Sequence, residues 1–114
     1  MSASWSLRFL GHAGFLLQYR GVRLLCDPWL SDSGAFLHRW HQYPPNDMID
    51  RRPLAAAEYL YISHAHEDHC DKDFLRAFPK DKVTVLLADF ASERLARSLA
   101  ALGFRRIVRL QDWE

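Results

Sequence analysis

Residues 62–71 read Ile62-Ser63-His64-Ala65-His66-Glu67-Asp68-His69-Cys70-Asp71. The apolar run Tyr59-Leu60-Tyr61-Ile62 leads into this stretch and reads as a short strand. In extended chain, residues i, i+2 and i+4 point the same way, so His64, His66 and Asp68 can be aimed at one point where the strand ends. His69 falls where the chain turns toward a helix and can reach a neighbouring point. Imidazole together with carboxylate suits Zn²⁺, with Fe or Mn²⁺ as alternatives, rather than a soft thiolate site. Four ligand-type residues so close together fit one or two ions. Asp68 is the candidate catalytic residue, as a metal ligand and proton acceptor. The start of the following helix favours negative charge, which suits Asp68 or a bound hydroxide. A polar surface loop is the plainer reading of a lone His. Three His and an Asp directly after an apolar strand point to metal instead.

Other motifs that use these residue types do not fit. A zincin needs His-Glu-x-x-His on a helix, and here His66-Glu67 is followed by Asp68, His69 and Cys70. A zinc deaminase needs a downstream Pro-Cys-x-x-Cys, which is absent. No Gly-rich phosphate loop is present, and Gly11-His12-Ala13-Gly14 is too short to count as one.

The chain upstream of residue 27 reads as three strands: Ser6–Leu10, Gly14–Tyr19 and Val22–Cys26, broken at Gly11 and at Arg20-Gly21 and ended by Asp27-Pro28. Residues 27–58 form a long aromatic-rich loop with room for one helical turn, because no period of 2 or 3.6 survives there. Residues 59–114 read as β-α-β-α-β. A helix near Lys72–Phe78 is capped by Asp71, and a strand covers Val83–Ala88. A second helix is capped by Ser92 and ended by Gly103, and a last strand covers Arg105–Leu110. The fold class is therefore α+β, a mixed sheet with helices on one face.

Composition narrows the function classes. The chain has 114 residues, 49% of them hydrophobic and 25% charged, which suits one ordinary globular domain. The net charge of +1 gives no general pull toward nucleic acid or an anionic membrane. No apolar run approaches the ~20 residues of a membrane span. Cys26 and Cys70 are too few for a disulfide framework and read as buried reduced thiols. The opening residues have no basic start followed by a long apolar stretch, so a cytoplasmic protein is expected.

The Ser63–His69 stretch resembles the His-x-His-x-Asp-His signature of the metallo-β-lactamase-fold hydrolases. Two upstream stretches, Phe9-Leu10-Gly11-His12-Ala13-Gly14-Phe15-Leu16 and Leu25-Cys26-Asp27-Pro28-Trp29-Leu30, resemble one branch of that superfamily. It contains ascorbate-6-phosphate lactonase-like proteins, N-acylphosphatidylethanolamine phospholipase D and the hydrolase-like domain of CMP-sialic-acid hydroxylase. The aromatic loop, ending Tyr43-Pro44-Pro45-Asn46-Asp47, is most similar to the last of these. The resemblance implies that His64 and His66 bind a first metal and that Asp68 and His69 bind a second. It implies a metal-bridging water as nucleophile and a small ester, lactone or phosphodiester as substrate. His at position 66, where di-iron oxygen-reducing relatives carry an acidic residue, favours hydrolysis.

The resemblance also implies an αββα sandwich of two similar halves, of which residues 1–114 would supply the N-terminal one. The remaining ligands would come from the second half, because no His follows His69. A chain with half the site is expected to bind zinc weakly, to turn over little and to expose an apolar face open to self-association or pairing. A non-catalytic remnant or interaction module is the alternative. A third reading is the partner domain of an oxygenase, although no Rieske-type Cys/His pairs occur here.

Further candidates come from the upstream stretches. Asp27 can orient a ligand His, or can simply be a turn residue before Pro28. His12, in a Gly-bracketed turn, belongs near the metal or is a structural His. Trp29, Phe36 and Trp40 can line a pocket or pack. His38 and His41 read as loop residues that could contact substrate. Arg105, Arg106 and Arg109 read as a solvated strand end.

Overall fold

In the computed structural model, residues 4–31, 34–37, 39–89 and 91–111 are described; His38 lies outside them. Strands β1 (Trp5–Gly11), β2 (Gly14–Tyr19) and β3 (Val22–Cys26) form an antiparallel meander. Arg20 and Gly21 both take positive φ, +51° and +81°, as a two-residue hairpin turn of type I′ requires. Three crossovers follow. Helix α1 (Arg52–Ala55) leads to β4 (Tyr59–Tyr61), α2 (Lys72–Ala77) to β5 (Thr84–Ala88) and α3 (Glu93–Ala101) to β6 (Arg106–Leu110). Strands β3 to β6 are parallel, and the six-stranded sheet keeps the order β1-β2-β3-β4-β5-β6.

Local chemistry accounts for the element ends. Asp71 accepts from the Phe74 amide at 3.2 Å and Ser92 from the Leu95 amide at 3.1 Å, which caps α2 and α3. Gly103, at φ +105°, ends α3. The aromatic stretch contains one helical turn, α1, with Pro53 in its first turn.

Register divides the sheet into two unlike faces. Leu16, Leu25, Leu60 and Val85 are cross-strand neighbours and are buried. They pack in one core with Leu54 of α1, Phe74 and Leu75 of α2, and Leu95 and Leu99 of α3, so the helices lie on that face. The other face carries Leu7, Phe9, Leu17, Leu24, Tyr59, Leu86 and Val108. Among the described residues no helix lies against it, and Phe9 is 70% exposed there. A shallow apolar groove of about 430 Å³ runs across it, lined by Leu17, Tyr19, Val22, Leu24, Tyr59 and Leu86.

Candidate metal centre

Three connections meet at one end of the sheet. Beyond the C-terminal end of β4 the chain leaves extended geometry, and the amides of His69 and Cys70 both donate to the His66 carbonyl, at 2.9 and 2.8 Å. Beside it, β3 ends at Asp27, whose amide donates to the Tyr61 carbonyl at 2.9 Å. The β1–β2 turn brings His12 to the same end. Carboxyl ends of parallel strands are where open sheets of this kind gather ligands.

Asp27 is the hub of the arrangement. It is 6% exposed, and its φ of +40° is uncommon for a residue other than glycine. Its Oδ1 accepts from the Ser63 amide at 2.7 Å, and its Oδ2 accepts from Ser63 Oγ at 2.6 Å and from His69 Nδ1 at 2.8 Å. Ser63 Oγ also lies 2.8 Å from His64 Nδ1. A hydroxyl carries one proton, and an ionised carboxylate can only accept. Ser63 therefore gives its proton to Asp27 and accepts from His64 Nδ1–H. His69 likewise gives its Nδ1 proton to Asp27. In its neutral form each ring then has a bare Nε2, the form in which imidazole ligates a metal.

Asp68 stands at the centre of the imidazoles. It is 6% exposed. Its Oδ2 accepts from His12 Nε2 at 2.8 Å and lies 3.4 Å from His69 Nε2. Its Oδ1 is buried with no hydrogen-bond partner among the described residues. A buried carboxylate oxygen without a donor is costly, and a cation is one answer to it. Two overlapping groups have ligand atoms within 4.8 Å of one another: His64 with His66 and Asp68, and His12 with Asp68 and His69. The donor set therefore fits a metal, and it suits zinc, iron and manganese alike. Partial burial and the neighbouring His69 and His66 hold His64 below its ordinary pKa, with Asp27 and Asp68 opposing. The neutral ring that a metal needs is thereby favoured.

The remaining candidates lie around this cluster. Trp29 is buried and meets the His12 ring edge-on at 5.3 Å. Trp40 is half exposed and packs on Phe36 at 4.6 Å, and Phe36 in turn lies 6.1 Å from His66. His12, Trp29, Trp40, His41 and Tyr43 share a cleft of about 610 Å³. Cys70 and Cys26 are buried and lie outside both ligand groups. Arg109 is engaged rather than solvated, donating to the Ala91 carbonyl at 2.6 Å and to Glu93 at 2.8 Å.

Two supports go beyond what sequence reading gave, which had Asp71 only as a helix cap and no role for Asn46 or Gln42. Asp71 accepts from the Leu30 amide, the Ser31 amide and Ser31 Oγ at 3.0, 2.8 and 2.7 Å, tying the aromatic loop to the start of α2. Asn46 donates to the carbonyls of Leu10 and Trp29 at 2.6 and 2.8 Å, and Gln42 also donates to Trp29. The only signal for Ser63 was its place directly before His64.

The family described as "Beta-lactamase superfamily domain" matches residues 6–108. A Mycobacterium tuberculosis protein named for a Rieske 2Fe-2S centre is 41% identical over 103 residues, covering 90% of this chain and 20% of that protein. A UPF0173 metal-dependent hydrolase from Aeropyrum pernix is 31% identical over 99 residues, covering 83% of this chain and 36% of that one. Among solved structures, CmlA, a diiron β-hydroxylase from Streptomyces venezuelae, superposes with a TM-score of 0.61 at 25% identity. That match covers 100% of this chain and 22% of CmlA. The chain thus spans about a fifth of the mycobacterial relative and about a third of the archaeal one.

Proposed function

We propose, from the premise that this chain belongs to the β-lactamase superfamily domain family, that it is the metal-holding N-terminal half of a metal-dependent hydrolase. One observation carries the reading. Asp27 and Ser63 leave Nε2 of His64 and His69 bare beside Asp68, whose buried Oδ1 has no donor. His64 and His66 hold a first ion, and Asp68 and His69 a second, with zinc as the metal. When bound, zinc supplies Lewis-acid chemistry, lowering the pKa of water to about 7 and polarising the bond under attack. Asp68 serves as ligand and proton acceptor. Asp27 acts on the site through the rings it orients, one directly and one through Ser63. The cleft beside His12, Trp29 and Trp40 receives a small ester, lactone or phosphodiester. Completing the catalytic site takes ligands from beyond these residues. Two buried thiols, neither in a disulfide, fit a cytoplasmic setting.

The test is zinc uptake by the purified chain, read by equilibrium dialysis and elemental analysis. Replacing His64 and His66 together with Ala should lower uptake by at least one ion per chain, with the circular dichroism spectrum kept. Unchanged uptake overturns the reading.

A second reading rests on the open sheet face. A contiguous apolar surface running from Phe9 through Leu17 and Leu24 to Leu86 is unusual on a monomer. It suits a half-domain whose role is to pair, with itself or with a second layer of the sandwich, whether or not metal is held.

A further inference from the structure

We propose that His12 is a metal ligand, completing with Asp68 and His69 a second three-donor position made wholly from this chain. The inference deepens the metal-site reading above and rests on it. That reading gives the second ion only Asp68 and His69. A closed set of three protein donors is the usual minimum for a catalytic zinc.

Four observations converge on His12. Its Nε2 lies 2.8 Å from Asp68 Oδ2, and the same oxygen lies 3.4 Å from His69 Nε2, so three donor atoms already surround one point. In the neutral His69 ring the nitrogen on that side is the bare one, because Nδ1–H donates to Asp27. Asp68 belongs to both donor groups and is buried, with its second oxygen unpartnered. One carboxylate with an oxygen for each position is the arrangement that would hold two adjacent cations. The fourth observation concerns the backbone. His12 sits at φ +54° in a turn flanked by Gly11 and Gly14. His, like Asn and Asp, is among the non-glycine residues that take a left-handed position most readily, so the turn presents the imidazole toward Asp68 at little backbone cost. Trp29, packed edge-on at 5.3 Å, fixes the ring plane.

The experiment titrates the whole 114-residue chain with Zn²⁺ by calorimetry and counts bound ions by elemental analysis. The probe variant is His12→Asn, which keeps the left-handed turn and removes the reach of the imidazole. The unaltered chain should take two ions. His12→Asn should weaken the second ion at least about tenfold and leave the first unchanged. His69→Ala should remove the same ion, which guards against a folding artefact at His12. With Co²⁺ in place of zinc, the visible spectrum of the second ion should change in His12→Asn. Two ions held with unaltered affinity in His12→Asn overturn the proposal, as does a single ion in the unaltered chain. In either case, a loss of metal in the His64→Ala, His66→Ala chain leaves the proposed function standing. A chain that takes up no zinc overturns both.

Discussion

Replacing Asp27 with Asn exchanges one carboxylate oxygen for an NH₂ group and should reverse the proton arrangement of the centre. Asn tolerates the +40° φ found there, so the backbone is kept. The amide oxygen can still accept from the Ser63 amide. The amide nitrogen, however, replaces an acceptor that serves both Ser63 Oγ, at 2.6 Å, and His69 Nδ1, at 2.8 Å. An NH₂ group can only donate, so both partners must become acceptors. Ser63 then turns its proton toward His64 Nδ1, 2.8 Å away, and both rings carry their proton on Nε2. The count of hydrogen bonds is nearly unchanged, so folding stability should fall little. To ligate, each ring must break its new hydrogen bond and return to the other tautomer, at about 0.5–1.5 kcal/mol per bond. For the two rings that is about 1–3 kcal/mol, or roughly 10–100-fold in zinc affinity. Competition against a chromophoric chelator measures the affinity, and ¹⁵N spectra of the imidazoles report the tautomers. Wild-type affinity in Asp27→Asn, or rings that stay protonated on Nδ1, would refute the reasoning.

Three further expectations follow from the same geometry. Asp71→Ala leaves the Leu30, Ser31 and Phe74 amides without their acceptor and should cost about 2–4 kcal/mol, read from the urea midpoint. Burial, helped by the Asp27 charge, pushes the Cys26 thiol up to about 12, and burial pushes Cys70 up to about 11. Neither should alkylate at mildly alkaline pH until denaturant is added, and rapid labelling of the native chain would contradict that burial. Leu17→Lys with Leu86→Lys, both on the open face, should weaken any self-association seen by sedimentation and leave the melting temperature within a few degrees. A large drop in melting temperature would mean that this face is part of the folded core.

What sequence reading could reach divides along the range of the interactions involved. Strands β2 and β3 and the caps Asp71 and Ser92 were legible because each depends on neighbours a few positions away. The expected parity of His64, His66 and Asp68 presumed an extended chain, whereas residues 65–69 turn, with the His69 and Cys70 amides donating to the His66 carbonyl. The aromatic loop was not legible, because its path is held by side chains reaching distant backbone. Asn46 donates to Leu10, Arg51 to Leu30, and Asp71 accepts from Leu30 and Ser31. No local period records such bonds. The parts played by His12 and Ser63 were hidden for the same reason: their partners, Asp68 and Asp27, lie 56 and 36 positions away.

The sequential strand order has a consequence for how the molecule assembles. Each strand docks beside the one made just before it, so no strand waits for a partner still to be synthesised, and loop-closure costs stay small. The metal donors do not follow that even progression. His12 and Asp27 are in hand early, yet they have nothing to bind until β4 docks and delivers residues 63–69. From that moment all the residues of the two candidate donor groups are in place, while β5, α3 and β6 still follow in the chain. On the proposed reading, the centre would act as a clasp closed midway through folding. A cation captured there would lock the first four strands in register while the last two are still being laid down.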